Sequence, residues 1–281
     1  MIKLSEQNIL LSKIIEYALS AGKRILEVYD SNHFEIELKG DQSPLTIADR
    51  ESHRIIKEGL YKSYPTIPIL SEEGDHPDYK VRKDWDYVWL VDPLDGTKEF
   101  IKRNGEFSVN IGLVKNQKPI LGVIYVPVLD TLYFAKEGIG AYKLTNCLSL
   151  MKQCYTDTEW INQAYKLPLV ENRDSTNIVV SRSHFSEETE EFIQKAKEEF
   201  GFVKLIRSGS SLKMCLVAEG KVDLYPRFSP SMEWDTAAGE AIVKEAGGVV
   251  IQKDTYQTLQ YNKEKLENPH HLVKRQFEGE A

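Results

Sequence analysis

The sequence predicts a mixed fold, an α+β first half running into an α/β second half, on three observations. Apolar residues recur at helical spacing through Asn8 to Tyr29 (Ile9, Leu10, Ile14, Ile15, Ala18, Ile25, Leu26) and again through Thr46 to Tyr64. From Phe107 to Tyr142 the pattern shortens to β-rich runs, broken by turn residues at Asn116-Gln117-Lys118, Pro127 to Asp130 and Lys136-Glu137-Gly138, as in an antiparallel meander. From Asn177 onward strand and helix patterns alternate, the signature of an α/β arrangement.

Taken in order, the two amphipathic helices are followed by a short apolar run, Ile67 to Leu70, which delivers Ser71, Glu72 and Glu73 at a strand end. Tyr87 to Val91 are continuously apolar, as expected of a strand buried on both faces. Gly96, Thr97 and Lys98 open a short helical segment, TKEFIKR, and the meander comes next. Leu144 to Thr176 is weakly patterned and reads as a connector with one short helix. The second half then places strands at Ile178 to Val180, Val203 to Ile206, Val222 to Tyr225 and Val249 to Gln252. Helices are expected over Ser186 to Phe200, over Ser210 to Glu219 and from about Trp234. The charged tail after Tyr261 reads as solvated surface. The division is therefore 1–145 as an α+β half, 146–176 as the connector and 177–281 as an α/β half.

Composition narrows the function classes. With 281 residues, 41% of them hydrophobic, the chain can bury one large core or two smaller ones sharing a cleft. Its 36 basic and 43 acidic residues leave a formal charge of −7, which argues against a general nucleic-acid binder. Cys147, Cys154 and Cys215 are odd in number and form no CxxC pair, so reduced structural thiols are expected. Glu6, Lys13 and Glu16 interrupt any signal-peptide core, and no apolar run reaches membrane length, so an intracellular, cytoplasmic location is the expectation. Peripheral association with the inner face of the cell membrane and the oligomeric state stay open.

The chemistry concentrates in Trp89 to Asn110, WLVDPLDGTKEFIKRNGEFSVN. Asp92 emerges at the carboxyl end of a buried strand, where α/β sheets place their ligands. Pro93 removes an amide donor and bends the chain, while Gly96 tolerates tight backbone geometry. Asp92, the Leu94 carbonyl and Asp95 can then turn toward one point, and such hard oxygen ligands suit magnesium or manganese. A strand followed by an Asp-Gly turn that binds nothing would have the same sequence. The company of Glu72 and Glu73, and of Asp235 in the first turn of a helix, favours the metal site.

The ordered set Asp49, Glu72 with Glu73, Asp92 to Thr97, and Trp234 with Asp235 resembles the signature of the lithium-sensitive, magnesium-dependent phosphomonoesterases. Inositol monophosphatases, fructose 1,6-bisphosphatases and bisphosphate nucleotidases make up that superfamily. LSEEG followed by YVWLVDPLDGTKEFIKRNGEFSVNIGLV is most similar to the CysQ-type 3'(2'),5'-bisphosphate nucleotidases, with Lys98 and Glu99 in place of the Thr-Asn usual in inositol monophosphatases. The matching motifs spread from about Lys39 to about Gly248.

The resemblance implies a layered αβαβα sandwich with the metal site in the cleft between the halves. It implies that Glu72, Asp92, the Leu94 carbonyl, Asp95 and Asp235 coordinate two or three Mg2+ ions, with Mn2+ as the alternative, and that water and substrate phosphate complete the coordination. Asp49 and Thr97 correspond to the family's water-activating dyad, with Glu72 beside them. Asp49 also stands at capping-box spacing from Thr46, and capping and catalysis are compatible. Phosphate is expected at the amides of Gly96, Thr97 and Lys98, bounded by Glu72, Asp95 and Asp235. Lys39 resembles a family lysine near the site but reads, as a lone cation, as solvated.

Substrate selectivity falls to the second half. Gly209 to Lys213, after Arg207, and Ser181 to His184 resemble stretches that receive the adenosine 5'-phosphate side, with Ser181, His184, Gly209 and Lys213 as the contacts. An ordinary helix cap or loop is the plain alternative for each. The expected activity is hydrolysis of the 3'-phosphate of adenosine 3',5'-bisphosphate to AMP and phosphate, linked to sulfate assimilation, with the 5'-phosphosulfate analogue as a second substrate. An inositol monophosphatase or sugar bisphosphatase is the nearest rival. A non-catalytic metal and nucleotide sensor ranks below it, because such a protein would tolerate loss of Thr97 or Glu72.

Overall fold

The computed structural model, which describes residues 9–31, 34–40, 43–169, 175–182 and 185–275, stacks helices and sheets in five alternating layers. Along the chain come α1 (Leu11–Ser31), β1 (Glu37–Leu38), β2 (Pro44–Leu45), α2 (Ile47–Ser63), β3 (Ile69–Ser71), α3 (Tyr79–Arg82), β4 (Tyr87–Asp95) and α4 (Thr97–Ile101). The meander follows as β5 (Ser108–Lys115), β6 (Lys118–Val126), β7 (Thr131–Lys136) and β8 (Gly140–Thr145). After it come α5 (Asp157–Gln163), β9 (Tyr165–Lys166), β10 (Thr176–Ser181), α6 (Glu187–Phe200), β11 (Val203–Ser208), α7 (Leu212–Ala218) and β12 (Leu224–Arg227). The described chain finishes with α8 (Glu233–Glu245), β13 (Val249–Gln252) and β14 (His271–Lys274).

The large sheet has the order β3-β4-β5-β6-β7-β8-β9, with β3 parallel to β4 and every later pair antiparallel. The small sheet has the order β11-β10-β12-β14-β13, parallel across its first three strands and antiparallel across the last three. Strand alternation sorts side chains between layers. Trp89 and Val91 of β4 pack with Ile14, Ile15 and Ala18 of α1 and with Ile56 and Leu60 of α2. Val88 and Leu90 point the other way, into a core shared with Met214 of α7, Ala238 and Ile242 of α8, and Val179, Val250 and Val273 of the small sheet. On that sheet's far face Ile178 and Val180 meet Ile193 and Ala196 of α6. Each fully buried Val, Leu, Ile or Met side chain among them stabilises the fold by about 1.5–3 kcal/mol.

The central helix lies very close on the large sheet. Gly112 and Gly122 face one another across β5 and β6. A Cβ at Gly122 would come within 2.1 Å of the Ala238 carbonyl oxygen, and one at Gly112 within 2.9 Å of the Ala238 nitrogen. Only glycine lets α8 seat there.

Two expectations need correction. The tail is not mere solvated surface: residues 271–274 form β14, inserted between β12 and β13, with Val273 opposite both Tyr225 and Val250. Asn262, Asn268 and His271 are buried with it. The connector holds more than one short helix, adding a 3-10 turn at Cys147–Leu150 and the edge strand β9. Its Asp157 also caps α1, accepting from the backbone N–H of Leu11 (3.1 Å) and Ser12 (2.7 Å). All three cysteines are buried and unpaired. Among the described residues no helix is long and apolar enough to cross a membrane.

Candidate active site

The irregular end of β4 builds the site. Pairing with β5 runs regularly to Asp92 opposite Asn110, then slips before resuming at Asp95 opposite Ser108. Pro93, inside the slip, has no amide to offer a ladder. The Leu94 amide donates to Asp92 Oδ1 (3.1 Å), which turns the strand end back on its own carboxylate. Gly96, at φ +95°, then swings the chain into α4.

These groups line a cavity of about 380 Å3 between the layers. Glu72, Asp92, Leu94, Asp95 and Asp235 border it, as do Gly96, Thr97, Lys98, Ser181, Gly209 and Lys213. The structure thus brings together every described member of the sequence-derived set except Asp49, which reaches the cavity through Thr97. His184 lies outside the described residues.

Asp49 and Asp235 are held by one device. Each is the third residue of its helix, and each gives one oxygen to the N-cap amide. Thr46 N donates to Asp49 Oδ2 at 2.8 Å and Met232 N to Asp235 Oδ2 at 2.9 Å. The Thr46 hydroxyl also donates to Asp49 Oδ2 (2.6 Å). The second oxygen of Asp49 is left for Thr97, whose hydroxyl donates to Oδ1 at 3.1 Å. Capping and a site role therefore use different oxygens of one carboxylate.

Asp95 is held from the other half of the molecule. Its Oδ2 accepts from the Ser211 backbone N–H (2.6 Å) and hydroxyl (2.7 Å), with Asn110 Nδ2 at 3.3 Å. Asn110 Nδ2 also donates to Ser211 Oγ (2.8 Å). Ser211, inside the Gly209 to Lys213 stretch, and Asn110, at the end of the Trp89 to Asn110 motif, were not read as partners of Asp95; for Ser211 the contact spans 116 residues, which leaves no local pattern.

The electrostatics are those of crowded carboxylates. Burial pushes the Asp92 carboxyl well above its ordinary range, and Glu72, Asp95 and Asp235 add to the rise. Asp235 is pushed up to about 7 by burial and then by Asp95 and Glu72. Burial, opposed by hydrogen bonds from Thr46 and Thr97, also raises Asp49.

The cations differ from expectation. Lys39 is not simply solvated: its ammonium donates to Glu72 Oε1 (2.7 Å) and to Glu73 Oε1. Burial alone would lower its pKa, but the two carboxylates hold it above the usual lysine range. Arg207 is exposed and lies over the Phe185 ring (5.5 Å to its centroid), away from the cavity wall. The arginine that does line the cavity is Arg227, which no motif announced. Lys213 is there too, pushed down to about 8 by burial and then by Arg227.

The donor chemistry fits a hard divalent cation, because Glu72, Asp92, Asp95 and Asp235 line the cavity together with Leu94. Among the described residues, no three His, Cys, Asp or Glu side chains yet converge tightly enough to grip one ion alone. Burial first, and the neighbouring carboxylates after it, push Asp92 and Asp235 up, and a bound cation would relieve both penalties.

Comparison with known proteins finds relatives over most of the chain. Residues 7–274 match the model of the inositol monophosphatase family. A Salmonella typhimurium protein named 3'(2'),5'-bisphosphate nucleotidase CysQ is 46% identical over 242 residues, 86% of this chain and 89% of its own. The protein of that name from Escherichia coli K12 is 45% identical with the same coverage. The crystal structure of CysQ from Bacteroides thetaiotaomicron, described as a bacterial member of the inositol monophosphatase family, superposes with a TM-score of 0.87. It is 52% identical and covers 95% of this chain and 97% of its own.

Proposed function

The chain belongs to the inositol monophosphatase family, and from that premise we propose that it is a magnesium-dependent phosphatase that hydrolyses the 3'-phosphate of adenosine 3',5'-bisphosphate to AMP and phosphate. One observation carries the reading: a carboxylate wall, the Thr97 hydroxyl backed by Asp49, buried Lys213 and half-buried Arg227 meet at a single cavity. Glu72, Asp92, the Leu94 carbonyl, Asp95 and Asp235 would hold Mg2+, or Mn2+ in its place. When bound, the metal supplies positive charge for the phosphoryl oxygens and makes water acidic enough to be a nucleophile near neutral pH.

The protein's own groups position and deprotonate. Thr97 Oγ1 gives its proton to Asp49 Oδ1, which leaves the hydroxyl oxygen's lone pairs free to accept from the attacking water. Asp49, buried and raised in pKa, is suited to draw that proton onto Oδ1 while Oδ2 stays fixed to the Thr46 amide. The 3'-phosphate would lie against the amides at Gly96, Thr97 and Lys98. Ser211 prevents Asp95 from turning away during turnover.

A substrate with two anionic groups suits this cavity better than inositol phosphate, since Lys213 and Arg227 offer a second anion a place beside Ser181 and Gly209. The 5'-phosphosulfate analogue presents the same pair of groups. A place in sulfate assimilation and in the cytoplasm belongs to the same proposal. The test is to compare adenosine 3',5'-bisphosphate with adenosine 3'-monophosphate in the wild type and in Arg227→Ala. The wild type should prefer the bisphosphate, and the variant should lose that preference through KM. Equal use of both substrates by the wild type would contradict the assignment.

A further inference from the structure

We propose that His76 is a positioning residue that locks Glu72 and Asp235, from opposite sides of the cleft, into one metal cradle. The inference rests on the reading above that these carboxylates hold the metal. His76 Nε2 lies 2.8 Å from the backbone carbonyl of Ser71, the residue before Glu72, so that nitrogen carries the proton and donates. The same carbonyl accepts from the Gly74 amide (2.9 Å), and the Glu72 amide is tied to the Val91 carbonyl (3.0 Å). The Ser71 hydroxyl is held separately by His53 Nδ1 at 2.8 Å. The turn that presents Glu72 is thus fixed from several directions, and His76 is the contact that leaves it for the other half.

The outward contact is a ring. The His76 imidazole stacks on the Trp234 indole, with centroids 4.9 Å apart and planes 28° apart. Trp234 is the residue before Asp235, in the first turn of α8. One exposed side chain therefore grips the backbone beside one candidate ligand and the side chain beside another. Its exposure argues against a packing role, because substitutions of surface residues away from special features usually change stability very little. A small rotation of the α8 first turn would carry the imidazole with it and drag the Ser71–Glu72 turn in step. Losing a direct partner of a metal ligand typically weakens metal binding by about 10- to 100-fold, and His76, which acts through the residues beside two ligands, belongs at the lower end.

The experiment measures Mn2+ affinity by titration calorimetry on wild type, His76→Ala, His76→Phe, His76→Gln and Asp95→Asn, with unfolding midpoints of the metal-free proteins alongside. His76→Ala should weaken Mn2+ binding about 10-fold. His76→Phe, which keeps the stack, and His76→Gln, which keeps a donor, should each recover part of the loss. Metal-free midpoints should match the wild type. Equal affinities in wild type and all three His76 variants, while Asp95→Asn loses binding, would overturn the role of His76 and leave the metal reading standing. A loss of affinity matched by an equal loss of metal-free stability would also overturn it. If the wild type bound no Mn2+, the metal reading would fall and this inference with it.

Discussion

Asp92 is 2% exposed and shares its cavity with Glu72, Asp95, Glu99 and Asp235, so its ionised form is held in the fold at a cost. Its folded pKa lies above the unfolded value, so its stabilising contribution is present at low pH and is lost as pH rises through the folded pKa. Asp92→Asn should therefore raise the unfolding midpoint of the metal-free protein, by about 2–4 °C per kcal/mol relieved. The gain should grow with pH while phosphatase activity disappears, and thermal scans across pH beside an activity assay would check both. Ser211→Ala should leave the fold intact and lower kcat about 10- to 100-fold, because Asp95 Oδ2 keeps the amide but loses the hydroxyl. Steady-state kinetics at saturating Mg2+ measures it. At this scale Asp92, Asp95 and Thr97 were legible because they sit within six residues of one strand end. The grips of Lys39 on Glu72, across 33 residues, and of Ser211 on Asp95, across 116, exist only once the layers close.

Among the elements, α8 and β14 make the sharpest demands. Gly122→Ala would force a methyl into the backbone of Ala238, and overpacking of that kind costs about 1–3 kcal/mol or more. Denaturant melts should show that loss. β14 brings His271 into the small sheet fully buried, its Nδ1 3.0 Å from the Pro269 carbonyl and its Nε2 without a hydrogen-bond partner among the described residues. Burial pushes its pKa down to about 4 from an ordinary 6.5. The unfolded chain therefore binds a proton that the folded chain refuses, so stability present above about pH 6.5 is lost as pH falls toward 4. His271→Gln should flatten that acid limb relative to wild type, as read from urea midpoints between those pH values. Periodicity made the long helices and the meander legible, because each buries one face. β14 was illegible because four residues, HLVK, preceded by a proline and a charged stretch, carry no alternation long enough to read.

For the molecule as a whole, a formal charge of −7 sits oddly with a substrate bearing two phosphate groups unless cations are gathered locally. The layered fold gathers them by bringing β4, α7, β12 and α8 to one cavity, so that the carboxylates proposed to hold metal line the same space as Lys213 and Arg227. The architecture itself was foreshadowed by motif resemblance more than by periodicity, since strand and helix patterns fix the layers but not the order in which they stack. The most direct test of a metal-dependent nucleotidase is phosphate release from adenosine 3',5'-bisphosphate, inositol 1-phosphate and fructose 1,6-bisphosphate in parallel, with Mg2+ and with chelator, in wild type and Asp95→Asn. The account predicts Mg2+-dependent release, fastest from the nucleotide and lost in the variant. Release that survives the chelator, or a preference for the inositol or sugar phosphate, would contradict it.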